Sequence, residues 1–161
     1  MRADVVRRRA GGFTLVEMVV VLAIVGILAA AAHPVLRYAA LRAQEAELRQ
    51  SLRRIRGALD AYADAVAAGQ VQAPDGALPG VPAWPPTLQV LVDGAPLADG
   101  SGVRRFLRRL PPDPFGAEWG GAWGLRASDS PADDPRPGRD VFDVHSRSER
   151  SALDGSRYRD W

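Results

Sequence analysis

The sequence predicts an α+β fold: one long N-terminal helix, its first half transmembrane, packed against a small C-terminal antiparallel sheet. Three observations carry this. Residues 13–32 are almost uninterrupted apolar sequence. A stripe of apolar side chains at helical spacing continues from Leu41 to Val66. Beyond Gly69 the chain turns rich in Pro and Gly, and short alternating stretches replace the helical period.

The apolar run "FTLVEMVVVLAIVGILAAAA" has 20 residues, of which only Thr14 and Glu17 are polar. As a helix it spans a hydrocarbon core of roughly 30 Å. Arg7, Arg8 and Arg9 precede it, which by the positive-inside rule places the N-terminus in the cytoplasm and the rest of the chain outside it. Pro34 removes one helical N–H and should bend the helix. The stripe Leu41, Leu48, Leu52, Ile55, Leu59, Tyr62 and Val66 then steps by 7, 4, 3, 4, 3 and 4. Arg42, Glu45, Arg49, Arg53, Arg56 and Asp60 fall opposite it and read as the polar face. With Gly69 as the stop, residues 14–68 predict one helix about 80 Å long.

Residues 70–86 read as loop. Thr87–Val92 predicts a short helix capped by Thr87. Val103, Phe106, Leu107 and Leu110 predict one or two helical turns ended by Pro111 and Pro112. Arg104, Arg105, Arg108 and Arg109 read as a solvated face rather than a binding patch. Asp113-Pro114-Phe115-Gly116 is turn chemistry, with Pro setting φ and Gly permitting positive φ. Ala122–Ser128 suits a strand. Asp140–Ser146 alternates, with Val141, Asp143 and His145 on one face and Phe142 and Val144 on the other. "YRDW" predicts a short strand or edge closing on the sheet.

Composition narrows the chemistry. The 161 residues carry 21 basic and 19 acidic groups; every basic residue is arginine. Residues 1–12 hold a net +3, and the remainder a net −1, so a basic nucleic-acid footprint does not survive loss of that segment. There is no cysteine, which excludes disulfides, thiolate catalysis and zinc–thiolate sites. His33 and His145 have no metal-ligand or catalytic spacing, and no phosphate-loop, dinucleotide or nucleophile-elbow motif occurs. Trp84, Trp119, Trp123 and Trp161 read as packing residues. The chain is not an enzyme on this reading.

Glu17 decides how the apolar run is read. A cleaved secretory signal with a site at Ala29–Ala31 does not want a carboxylate in its core. A plain signal anchor explains the length and leaves Glu17 costing about 2.5–3.5 kcal/mol. "GGFTLVEMVVVLAIVGILAA", with a basic leader ending in Gly12, Phe13 next, Glu17 fifth after the cut and Pro34 twenty-second, resembles the type IV prepilin leader and helix. The resemblance is close over residues 7–34. It implies cleavage between Gly12 and Phe13 by a membrane prepilin peptidase, which also methylates the new Phe13 amine. It further implies that Glu17 of one subunit pairs with the Phe13 amine of a neighbour during assembly, as a buried charge requires.

A looser resemblance covers residues 84–161. Pro85–Leu91, "LRRLPPDPFG", "DVFDVHS" and the closing "YRDW" are similar to the major (G family) pseudopilin of type II secretion. That family commonly binds a structural calcium in its last loop. Here Asp154 is the one plausible ligand, Ser148 or Glu149 falls near a missing one, and Arg147, Arg150 and Arg157 oppose a cation. A plain turn at Asp154-Gly155 stays open beside it, and no cofactor is otherwise required.

The implied organisation is a leader over 1–12, a transmembrane and assembly helix over 13–33, a periplasmic helix half over 34–69 and a globular pseudopilin domain over 70–161. The implied role is a filament subunit of the type II secretion pseudopilus, anchored in the inner membrane with its C-terminal domain periplasmic. Its partners would be other copies of itself, other pseudopilins, the prepilin peptidase and the inner-membrane assembly platform. A type IV pilus or competence pilin, a minor pseudopilin and a signal-anchored periplasmic binding module are the alternatives.

Overall fold

The computed structural model describes residues 12–78 and 80–161. The leader expected over 1–12 therefore lies outside the described residues except at Gly12. The order is α1 (Leu15–Ala67), α2 (Val90–Asp93), β1 (Ala95–Pro96), β2 (Val103–Arg104), β3 (Gly124–Arg126) and β4 (Asp143–His145). Single 3-10 turns cover Ala117–Trp119 and Tyr158–Asp160. The strands pair antiparallel as β1–β2 and β3–β4. The layout is α+β, with two two-stranded sheets in place of one. The chain divides into two compact units between Leu41 and Arg42.

Within Arg42–Trp161 the core is built on one face of α1. Leu48, Leu52, Ile55, Leu59, Tyr62 and Val66 are buried, as their spacing predicts. Leu91, Phe115, Val141, Val144 and Tyr158 are buried with them. Tyr62 meets Phe106 edge-on at 5.4 Å. Phe115 stacks on Tyr158 at 3.9 Å. Gly69 ends α1 with φ 64°, the left-handed conformation that a side chain disfavours. Its N–H donates to Val66 and that of Gln70 to Ala65, both at 2.9 Å, which satisfies two carbonyls of the last turn.

Several local expectations give way to tertiary bonding. Residues 103–110 are not helical: Val103–Arg104 is β2, and the Phe106 and Leu107 amides both donate to the Leu91 carbonyl, at 2.9 and 2.8 Å. That carbonyl takes the donors a helix would have used. The predicted helix at Thr87–Val92 is a single turn starting at Val90, without a side-chain cap. The strand predicted over Asp140–Ser146 shrinks to β4. Asp140 instead accepts from the Ser128 amide (2.8 Å) and hydroxyl (2.6 Å), and the Val141 amide turns to the Pro85 carbonyl at 2.8 Å. Val141 is therefore buried like Val144 rather than facing the other way. Ala122–Ser128 likewise narrows to β3.

"YRDW" is a 3-10 turn, not a strand. A 3-10 helix aligns residues three apart, and Tyr158 meets Trp161 edge-on at 5.2 Å. Gly116 has φ −94°, so it is not needed for a left-handed turn. It is needed for room, because a Cβ there would lie 2.9 Å from that of Asp113.

The core face sets a stability test on the detergent-solubilised chain. Ile55→Ala, at a fully buried position, should cost about 2–5 kcal/mol. Arg53→Ala, exposed on the same helix, should stay within about 0.5 kcal/mol. Thermal unfolding followed by near-ultraviolet circular dichroism distinguishes the two.

Candidate functional site

The first candidate site is the start of α1. Gly12, Phe13 and Thr14 precede the helix and are exposed. Thr14 is its N-cap: its Oγ1 accepts the Glu17 amide at 3.2 Å, and its carbonyl accepts the Met18 amide at 3.1 Å. This is the Thr-x-x-Glu spacing of a capping box, a signal present in the sequence ahead of an apolar run. It gives Thr14 a structural role that the motif reading misses. Glu17 occupies the first turn of α1. Negative charge there is favoured by the helix dipole, by about 0.3–1 kcal/mol at an exposed site. Among the described residues, no hydrogen bond engages the Glu17 carboxylate. Pro34 lies inside α1, which continues through it.

The surface around these residues is apolar on every side. An 18-residue window of α1 has mean hydropathy 2.7, and none of it is buried. Leu15, Val16, Leu22, Ile24, Val25, Ile27 and Leu28 are each more than half exposed. A contiguous patch of this size does not stand in water and requires lipid or apolar protein around it.

The second candidate site is the closing segment of Arg42–Trp161, where the sequence placed a calcium ligand. Asp154 Oδ1 accepts from the Ser156 amide at 2.9 Å and its hydroxyl at 2.6 Å. Asp154 Oδ2 lies 3.8 Å from Arg49 Nη2. Glu149 pairs with Arg159 at 2.8 Å. Ser148 is buried and hydrogen-bonds within its own turn, its amide donating to the Ser146 hydroxyl and its own hydroxyl accepting the Arg150 amide. Among the described residues, no three His, Cys, Asp or Glu side chains gather as a metal set. One engaged carboxylate facing a guanidinium does not suit calcium, which takes six to eight oxygens.

Two residues assigned to the polar face of α1 are instead tied into the fold, Glu45 buried and Arg56 partly exposed. Glu45 is 5% exposed and accepts the Leu153 amide at 2.8 Å and the Tyr158 hydroxyl at 3.1 Å. Burial, and then the Glu45 bond, push the Tyr158 hydroxyl up to about 12. Arg56 donates to Asp143 (2.7 Å), the Val144 carbonyl (2.9 Å) and the Trp161 backbone oxygen (2.9 Å). Helical spacing already puts Glu45 beside the stripe, four residues after Leu41 and three before Leu48, but the partners of both residues lie about a hundred residues away. Asp113 is a third hidden centre. It is 3% exposed and accepts from the Phe115 amide (2.9 Å) and the Ser146 hydroxyl (2.7 Å). "DPFG" and the end of "DVFDVHS" are thereby joined.

Residues 7–32 match the family described as the prokaryotic N-terminal methylation motif. The chain thus carries a type IV pilin-like prepilin signal. The match supports the pilin and pseudopilin family and covers only the leader and the first part of α1. No curated protein and no solved structure matches the chain.

Two measurements follow from the polar centres. Asp113→Ala strands the Ser146 hydroxyl and should cost about 1–3 kcal/mol, whereas Glu118→Ala on the neighbouring exposed turn should change little. His145 is half-buried across from Gly124, its register partner. Burial chiefly, with Arg159 and Arg56, holds its imidazole below the usual range, against the opposing pull of Asp143 and Asp113. The unfolded chain therefore takes up a proton near pH 6.5 that the folded chain refuses. Stability contributed by neutral His145 is complete above that pH and falls as pH drops through it. Between about pH 7.5 and pH 5 the wild type should lose more stability than His145→Gln. Parallel unfolding curves for the two proteins would contradict this.

Proposed function

We propose that this chain is a structural subunit of the type II secretion pseudopilus, a filament protein and not an enzyme. The carrying observation is the register at the start of α1. A glycine, an exposed Phe13, a capped helix start and an acid in the first turn head a helix whose apolar first part is exposed. The methylation motif spans the same residues.

On this reading a prepilin peptidase cuts between Gly12 and Phe13 and methylates the new amine. The cut leaves residues 13–33 as an inner-membrane anchor and removes a net +3 from its cytoplasmic side. Glu17 then meets the Phe13 amine of the adjoining subunit. Capping by Thr14 uses the Glu17 amide, not its carboxylate, so the helix start and the intersubunit pair do not compete. The domain beyond Arg42 would lie in the periplasm, and other pseudopilins and the inner-membrane assembly platform would be its partners.

Support for the secretion branch over a pilus comes from Asp113 and Ser146. The two stretches that resemble the major pseudopilin, distant in sequence, meet through their buried 2.7 Å bond.

Mass spectrometry of the membrane-extracted protein should find N-methylated Phe13 at the new terminus. A chain starting at Met1 or near His33 would sink the reading. Glu17→Ala should be cut normally and fail to assemble, read by filament cross-linking. Loss of the chain should stop export of outer-membrane-crossing proteins while surface pili remain; the opposite pattern would select the pilus alternative.

A further inference from the structure

The segment from Ser146 to Trp161 closes the second compact unit without a covalent tie, since the sequence has no cysteine. A loop fastened by calcium would turn carboxylates and carbonyl oxygens inward. This one does the reverse. Its Leu153 amide and Tyr158 hydroxyl, on either side of the Asp154 turn, both point at the buried Glu45 carboxylate. The centre of the loop is an anion that gathers donors. Around it, Arg49 lies over the Trp161 ring at 4.0 Å and faces the Asp154 oxygen that Ser156 leaves open. Arg56 holds the Trp161 backbone oxygen at 2.9 Å. The three helix residues are spaced 4 and 7 apart, so they share one side of α1.

We propose that the closing segment is latched to α1 by Glu45, Arg49 and Arg56 in the place a divalent cation would otherwise take, so that closure of this domain is independent of metal. Glu45 is the centre, because it is buried and both its donors come from the segment. Arg49 is the resident cation at Asp154, and a second cation there would meet its charge directly. Tyr158 locks the arrangement from below: its ring is stacked on Phe115 and its hydroxyl is committed to Glu45.

The test uses the full chain in detergent, with thermal unfolding and hydrogen exchange read on peptides from residues 147–161. Unfolding and exchange should be the same in excess EDTA and in excess calcium, for the wild type and for Asp154→Asn. Glu45→Ala should speed exchange in that segment by about tenfold while leaving the α1 peptides over 48–66 protected. Tyr158→Phe, which keeps the ring and removes one donor, should speed it by a smaller factor. A melting temperature raised by calcium, reversed by EDTA and lost in Asp154→Asn would overturn the proposal. Unchanged loop exchange in Glu45→Ala would also overturn it. If Glu45→Ala fails to fold, unchanged exchange in Tyr158→Phe has the same force.

Discussion

Within α1 the backbone pairs along the helix except at Pro34, which has no N–H, so what surrounds the helix is set chiefly by its side chains. Those side chains ask for two different surroundings within one element. From Leu15 through the first half they are apolar on all faces and exposed. From Leu48 to Val66 they are apolar on one face, and that face is the core of the second unit. The first pattern is satisfied by lipid or by like helices, the second by the chain itself. The remaining structure follows from that demand: short strands and turns supply a cover for one helix face rather than a core of their own.

A cover made of two-residue and three-residue strands needs fastening. Three buried or half-buried polar centres provide it. Asp113 joins the proline-rich turn to the end of β4, Arg56 joins α1 to β4 and to Trp161, and Glu45 joins α1 to the closing segment. Each holds several donors or acceptors at once. Breaking one such centre strands its partners in the interior, and a stranded buried group costs more than an ordinary surface bond returns. In a cysteine-free domain, these centres fix the loops that a disulfide would otherwise fix.

The start of α1 combines two functions without conflict. Thr14 satisfies an amide that would be unpaired in hydrocarbon, where water cannot replace it. Glu17 supplies that amide through its backbone and keeps its carboxylate for other use. A residue can thus end a helix cleanly and still carry the one charge of an apolar span.

The sequence by itself determined the elements whose cause is local. The extent of α1, its stop at Gly69, its buried stripe, the exposure of its first half and the turn at Asp113–Gly116 all follow from spacing and from the chemistry of adjacent residues. The methylation motif over residues 7–32 is likewise legible, because it is written within one short stretch. Only the tertiary structure decided the rest. It gave Glu45 and Arg56 their partners, made Val103–Arg104 a strand, turned "YRDW" into a 3-10 turn and set a guanidinium against Asp154. For several of these the deciding partner lies outside the local window: Tyr158 for Glu45, Leu91 for Phe106 and Leu107, Arg49 for Asp154. Helical periodicity records which side of a helix a residue is on; it does not record what the fold brings to that side.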